Sequence, residues 1–233
     1  EIKERPTTVK TRVIAGQQHI IRLDRENRDA ILDEYTQSIL DFISKNIKHV
    51  DVILISDYNK GVVTNKLLKG SIDLAKKFQK PIIIYPKVEH FLDYKDVTIV
   101  ITDLEKAGSI TGIRQINETS IRNMGQWLLT HLECEFVLII RGKEGLALFG
   151  KSGGVTYISS IADEVRNMTG IVDTVASVIA LSLASGVSTM IDSTYLANIA
   201  VGIVVEKREA TAVTRDELKN KIYMISERHA KIW

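Results

Sequence analysis

The sequence of 233 residues is poor in cysteine, proline and aromatic residues, and it has no long hydrophobic run. Cys134 is the only cysteine, which excludes an internal disulfide and fits a reducing compartment. Its place just before the apolar run FVLII predicts a small buried hydrophobe. No apolar run approaches the roughly 20 residues that cross a bilayer, and the charged start EIKERP is not a signal peptide. We therefore expect a cytoplasmic protein without a membrane partner.

Net charge is also nearly absent, at +2. No basic patch or aromatic stacking motif accompanies it, so we predict no nucleic-acid partner. Apolar residues make up 45% and charged residues 26% of the chain, as in an ordinary globular protein. We predict one domain over residues 1–233, in which residues 7–24 form two partly exposed strands and residues 25–233 form an α/β core.

What the sequence does have is a regular alternation of apolar runs and helical patterns. The runs VDVILIS, PIIIY, VTIVI and FVLIIR read as buried strands, with helical segments between them. This alternation predicts a mostly parallel sheet covered by helices on both faces. Beyond the fourth run, GLALFG and GVTYIS predict a β-hairpin, and three helices close the chain. The last helix opens with the capping-box pair Thr214 and Glu217.

The stretch Gly145–Ser152, GLALFGKS, satisfies the P-loop pattern letter for letter. A P-loop needs glycines that form a turn between a strand and a helix, so that backbone N–H groups surround phosphates. Here the middle residues are apolar and strand-like, and GGVTYIS cannot start a helix. We interpret the stretch as part of a hairpin.

A helix is predicted to begin near Asp173, because Val175, Ile179 and Leu183 share one face. The free N–H groups and the dipole of such a helix end stabilise an anion. A carboxylate there can take the proton of a substrate hydroxyl that attacks phosphorus. It can equally be a plain N-cap, since Asp is among the best capping residues. Spacing alone favours the cap.

Six segments change that balance when they are taken together: RPTTVKTRVIAGQQHIIRLDRE, SDYNKGVVT, YPK, IRGKEG, TGIVDT and YLANIAVGIVV. They resemble the ribokinase-type carbohydrate kinases, most closely the bacterial D-glycero-D-manno-heptose-7-phosphate kinase subgroup. The resemblance covers nearly the whole chain. It implies a ribokinase-like, doubly wound α/β fold with helices on both faces and a small β-strand lid over residues 7–24. Lid strands of this family pair with a second subunit, so we expect a homodimer through this segment.

The resemblance also implies an activity and its residues. The activity is ATP-dependent phosphorylation of a heptose 7-phosphate at the anomeric hydroxyl, with Mg as the metal that accompanies ATP. Asp173 corresponds to the general base. The remaining correspondences are Thr169, Gly170 and Val172 in the anion hole, Asp103, Lys106, Arg141, Gly142, Gly145 and Asn198 on the nucleotide side, and Lys87 and Arg12 on the substrate side. For Gly142 and Gly145 a simple turn remains an equal alternative, and for Asn198 a satisfied helix polar residue.

Several positions depart from the family pattern. Val172 replaces a glycine, and a β-branched residue is strained if that turn needs a positive φ. Lys106 replaces a glutamate and Tyr85 an aspartate, near the place where the family holds metal and phosphate. At about 4 Å and an effective dielectric of about 20, one unit charge is worth roughly 4 kcal/mol, so this change disfavours a magnesium ion. Lys106 then either touches phosphate or is a solvated surface lysine. Asn167, Glu206 and Glu209 are further departures.

The chain also starts downstream of the family's first strand, its substrate-binding aspartate and its Gly-Gly-Asn motif. We expect a fragment, a loss of that part, or a second chain that supplies it. Two hypotheses follow. The first is a sugar kinase of impaired activity. The second is a non-catalytic relative, a pseudokinase that binds nucleotide or a partner protein. Because the departures concentrate at phosphate and metal positions, impaired activity is the expectation.

Overall fold

The computed structural model describes residues 5–16, 18–162, 164–166, 168–207 and 211–230. The strands are β1 Val9–Ala15, β2 Gln18–Arg25, β3 Ile53–Ser56, β4 Ile82–Tyr85, β5 Ile99–Asp103, β6 Phe136–Ile140, β7 Leu146–Gly150 and β8 Val155–Ile158. The α-helices are α1 Asp33–Asn46, α2 Asn65–Lys77, α3 Leu104–Thr111, α4 Glu118–Leu132, α5 Ile171–Ala184, α6 Met190–Glu206 and α7 Arg215–Ala230. No helix in these ranges is long and apolar enough to cross a bilayer.

The central sheet has six strands in the order in which they occur along the chain, β3-β4-β5-β6-β7-β8. The first four strands are parallel, and β7 and β8 continue the sheet as an antiparallel hairpin. The hairpin confirms that the P-loop match at Gly145–Ser152 has no phosphate-binding fold, because five of its residues form β7. The α/β architecture with a mostly parallel sheet is thereby confirmed.

Both faces of this sheet are buried under helices. In β4, Ile82 and Ile84 pack on the face covered by α2, α3 and α4. Ile83 points the other way, against α5 and α6. Because neighbouring strand residues alternate between faces, a strand buried on both sides must be apolar throughout, which is why PIIIY carries no alternation of polar residues.

Polar residues define where the helices begin. Thr64 caps α2, Asn117 forms a capping box with Ser120 at α4, and Thr189 does the same with Asp192 at α6. The predicted pair at α7 is confirmed: the Thr214 amide donates to Glu217 Oε2 at 2.8 Å. Hydrogen bonds from Lys207 and Thr214 lower the pKa of Glu217 to about 2.

β1 and β2 form a separate antiparallel ribbon with a bulge between Val13 and Ile14. The side chains that the structure describes in these two strands are exposed. The segment that follows is tied to the core by the hydrogen bond from the Ile31 amide to Gly61 O at 2.9 Å, and Arg5, which precedes the ribbon, donates to Lys60 O and to Asp29 O. Cys134 is fully buried, and burial raises its thiol pKa to about 12, so the hydrophobe interpretation is confirmed.

The face under α5 and α6 provides a stability test. Leu138 is fully buried there, whereas Leu181 on α5 is 74% exposed. We expect Leu138→Ala to lower the free energy of unfolding by about 2 to 5 kcal/mol and Leu181→Ala by less than about 0.5 kcal/mol. Urea unfolding followed by circular dichroism measures both values. Equal effects of the two substitutions would contradict this burial.

Candidate functional site at the carboxyl ends of the parallel strands

Polar residues gather where the four parallel strands end. Asp57 follows β3, Tyr85 closes β4, Asp103 closes β5 and Arg141 follows β6. Parallel strands end at one edge of a sheet, so these residues share that edge, where ligands of open α/β sheets bind. We call it the carboxyl edge.

Asp173 reaches this edge from the first turn of α5. Gly170 is the N-cap residue of that helix, with a φ of 83°, and Asp173 is its third residue. The alternative that Asp173 caps the helix, which spacing alone favoured, is therefore wrong, because the capping position belongs to Gly170 and Asp173 lies within the first turn. Its carboxylate is exposed in the same turn in which the first N–H groups of a helix lack intrahelical partners, an arrangement suited to an anionic ligand and a proton acceptor.

Tyr58 connects Asp173 to the strand ends. Its hydroxyl lies 3.3 Å from Asp173 Oδ1 as a donor. The ammonium of Lys87 lies 5.9 Å from the centre of the same ring. The predicted base and a predicted substrate-side cation are therefore neighbours across one aromatic side chain.

Val172 does not carry the strain that its sequence position suggested. Among the described residues, positive φ values outside glycine occur only at Asn59, Gln79, Asp96 and Glu133. Val172 lies inside α5 with helical backbone, and its side chain packs on the apolar cluster beneath the helix. The positive φ is at Gly170, so the expectation of a strained Val172 is wrong.

Lys106 is held in place by two neighbours. Its Nζ donates to Asp103 Oδ2 at 2.7 Å and to the hydroxyl of Tyr85, and it lies 4.3 Å from the centre of the Tyr85 ring. Burial acts to lower the pKa of Lys106, but the hydrogen bonds to Asp103 and Tyr85 outweigh it and the pKa is raised. The alternative of a solvated surface lysine is wrong, because only 17% of the side chain is exposed.

Asp57 anchors the turn after β3. It is almost fully buried, accepts a hydrogen bond from the Asn59 amide at 2.8 Å, and accepts another from the hydroxyl of Tyr94. Burial and the Asp57 carboxylate raise the pKa of Tyr94 far above its usual range, so this hydroxyl keeps its proton. The turn that presents Tyr58 is thereby fixed from below.

The loop after β6 is tight. The Arg141 amide donates to Gly145 O at 2.8 Å, and the guanidinium donates from Nη2 to Glu144 Oε2 at 2.9 Å. The guanidinium carbon lies 5.0 Å from the centre of the Tyr157 ring. Arg141 Nε and Tyr157 Oη are buried and have no hydrogen-bond partner in the described part of the chain.

Two other predicted site residues, Asn198 and Arg12, have no described hydrogen bond or ion pair to this cluster, whereas Thr169 directly precedes Gly170. Asn198 is buried in α6, where Nδ2 donates to Ser159 O at 2.9 Å, which agrees with the satisfied-polar alternative. Arg12 is exposed on the ribbon, and no described hydrogen bond or ion pair joins it to another candidate. Thr169 is exposed in the turn before Gly170. Asn167 and Glu209 lie outside the described residues.

The donors at this edge do not fit a divalent metal ion. Mg²⁺ is usually held by one or two carboxylates together with substrate phosphates, so a carboxylate that is already paired with an ammonium is a poor ligand for it. In Asp103, Oδ1 accepts from the Lys106 amide and Oδ2 from its ammonium. Over the described ranges, no group of three or more His, Cys, Asp or Glu side chains is placed to hold a metal ion.

Sequence reasoning missed Asp57, Tyr58 and Tyr157 as parts of this edge. The segment SDYNKGVVT supported the resemblance, but no residue in it was singled out. A usable signal was present: Asp57 and Tyr58 directly follow a buried strand of a parallel sheet, which is where ligand sites form.

With this geometry established, comparison with known proteins identifies the family. The sequence profile of the pfkB family carbohydrate kinases matches residues 1–217. The chain belongs to the pfkB family of carbohydrate kinases.

Relatives and structures of this family agree with the fold. The chain is 37% identical over all its 233 residues to the bifunctional protein HldE of Geobacter metallireducens, and 35% identical over the same length to that of Geobacter sulfurreducens. It spans 47% of each relative, about half their length. Ribokinase from Giardia lamblia superimposes with a TM-score of 0.75 at 12% identity, covering 96% of this chain and 73% of the other. Arabidopsis thaliana ribokinase in complex with ribose and ATP superimposes with a TM-score of 0.70 at 15% identity, covering 94% of this chain and 70% of the other.

The loop after β6 allows the two glycine interpretations to be separated. A Cβ on Gly145 would lie 2.1 Å from Ile158 O, at a φ of +90°, whereas one on Gly142 would meet nothing within 4 Å at a φ of +61°. We expect Gly142→Ala to cost about 1 to 2 kcal/mol of stability from its left-handed backbone alone. Gly145→Ala should cost more, because backbone atoms obstruct it. Urea midpoints give the comparison, and equal midpoints would refute a steric requirement for Gly145.

Proposed function

We propose that this chain forms the nucleotide side of an ATP-dependent sugar kinase, acting on the anomeric hydroxyl of a heptose 7-phosphate. Family membership supports a sugar kinase, and the HldE relatives support the heptose assignment. One observation carries the chemistry: Asp173 stands exposed in the first turn of α5, beside the open Gly170 turn and across Tyr58 from Lys87. A base, amide donors and a cation thus meet at one edge.

In this proposal the Asp173 carboxylate accepts the hydroxyl proton as the sugar oxygen attacks the γ-phosphorus of ATP. The bond between the γ-phosphorus and its bridging oxygen breaks, and ADP leaves. Gly170 and the amides that follow it stabilise negative charge on the transferred group. Lys87 attracts the anionic substrate. Thr169 and Val172 complete the turn around the phosphoryl group, and Arg141, Gly142 and Gly145 lie on the nucleotide side.

We further propose that turnover is impaired. The support is the engagement of both Asp103 oxygens by Lys106, which places an ammonium at the carboxylate where a metal ion would bind. Val172 contributes nothing to this argument, since its backbone is helical. The second candidate is a non-catalytic relative that binds nucleotide, and the same engagement of Asp103 supports it. A turnover assay separates the two.

The first test is phosphate transfer from ATP to heptose 7-phosphate by the purified chain. General-base removal in Asp173→Asn should lower the rate by about 100-fold or more. Tyr58→Phe removes only a long hydrogen bond, so we expect a loss of less than about tenfold. ATP affinity, measured by titration calorimetry, should change little in Asp173→Asn. Binding of ATP by the unmodified chain without any transfer would favour the non-catalytic candidate.

We also propose that the ribbon joins two copies of the chain. Strand pairing places Val9, Val13, Ile21 and Leu23 on one face, each about half exposed, and charged side chains, including Arg12 and Arg22, on the other. A two-stranded ribbon is marginally stable alone, so burial of this apolar face against a second copy would stabilise it.

Light scattering during gel filtration tests this at micromolar concentration. We expect the mass of a dimer for the unmodified chain and for Lys10→Glu, which changes the charged face. Ile21→Glu should give a monomer, because a carboxylate in an apolar interface is costly. A monomeric mass for the unmodified chain would disprove the ribbon interface.

A further inference from the structure

The Tyr85, Asp103 and Lys106 side chains form a closed cluster, which we call the ammonium clamp. Tyr85 ends β4 and Asp103 ends β5, and the two strands are neighbours in the sheet. Lys106 stands one turn into α3, where Asp103 also caps the helix through the Lys106 amide at 2.9 Å. One aspartate therefore fixes both the backbone and the side chain of the lysine.

The clamp leaves the ammonium one free donor. A lysine ammonium has three N–H groups. Two are directed at Asp103 and Tyr85, and no third acceptor occurs among the residues that the structure describes. Of the Lys106 side chain, 17% is exposed to solvent, so a ligand oxygen can reach the ammonium. Its raised pKa means that this donor is charged at neutral pH.

The charge pattern around the clamp suits an anion. Lys106 is charged, and Lys87 lies two residues beyond Tyr85 on the same strand end. The Asp103 carboxylate is the counter-ion of Lys106 and has both oxygens engaged. A fixed ammonium in a partly buried position attracts phosphate oxygens more strongly than an exposed one, because the local dielectric is lower.

From this geometry we infer that Lys106 serves as a built-in cation for nucleotide phosphates, in place of a divalent metal ion. The inference rests on the proposed nucleotide site and adds to it that binding does not require magnesium. Asp103 and Tyr85 act as positioning residues that direct the ammonium toward the ligand.

Titration calorimetry with ATP in EDTA and in excess magnesium is the test, performed on the full chain. We expect dissociation constants that agree within threefold between the two conditions. Lys106→Met should weaken binding at least tenfold in both. Lys219→Met is the matched control, because Lys219 is exposed on α7 and has no described hydrogen bond or ion pair with the clamp, and it should bind as the unmodified chain does.

A second variant gives a readout that a purely structural role would not move. Tyr85→Asp combined with Lys106→Glu adds two carboxylates beside that of Asp103. The resulting three carboxylates are a donor set that magnesium prefers. ATP binding by this variant should gain a magnesium requirement of at least tenfold. Circular dichroism and a thermal melt establish that it is folded.

The possible failures are distinct. A loss of more than tenfold in affinity when EDTA replaces magnesium, in the unmodified chain, would overturn the ammonium inference while the nucleotide site stands. Unchanged affinity in Lys106→Met would also overturn it. An absence of ATP binding in both conditions would remove the proposed nucleotide site, and the inference with it.

Discussion

Burial of the central sheet on both faces is the constraint from which the rest of this structure follows. Ile82, Ile83 and Ile84 alternate between two helix layers, and all three are inaccessible to solvent. Neither face can accept an unpaired polar group without a large desolvation cost. Polar chemistry is therefore restricted to the ends of the strands, and the carboxyl ends receive the first turns of the helices as well.

One carboxylate, that of Asp57, is buried at a strand end. Its two oxygens accept hydrogen bonds from the Asn59 amide and the Tyr94 hydroxyl, so the buried charge is compensated. A fully satisfied buried carboxylate makes the turn rigid, whereas a partly satisfied one would destabilise it. The rigidity passes to Tyr58, the next residue, which stands between Asp173 and Lys87. A buried contact thus determines how an exposed site is arranged.

Strand positions could be predicted from the sequence because doubly buried strands must be continuous apolar runs, as PIIIY and FVLIIR show. Helix starts were predicted where the cap is a side chain, as at Thr214. The start of α5 was predicted near Asp173, where it lies, but its capping residue was not, because the cap is the backbone of Gly170, which carries no side-chain signal.

The site was less accessible to sequence reasoning. The contact between Tyr85 and Lys106 joins residues 21 positions apart and depends on two strands being neighbours. In the sequence, each of the two residues was interpreted only as the replacement of an acidic residue of the family pattern. The fold shows in addition that they bind each other. The role of Tyr58 depends in the same way on a residue 115 positions away.

The outer edge of β3 has a consequence for handling the protein. Within the described residues no strand pairs with that side, and the strand ILIS contains neither proline nor a charged residue. Leu54 at its centre is 40% exposed. Proteins normally protect such edges, since unpaired N–H and C=O groups are a template for another chain. At high concentration, strand-to-strand association at β3 would compete with any ordered assembly, and solubility would depend on what covers this edge.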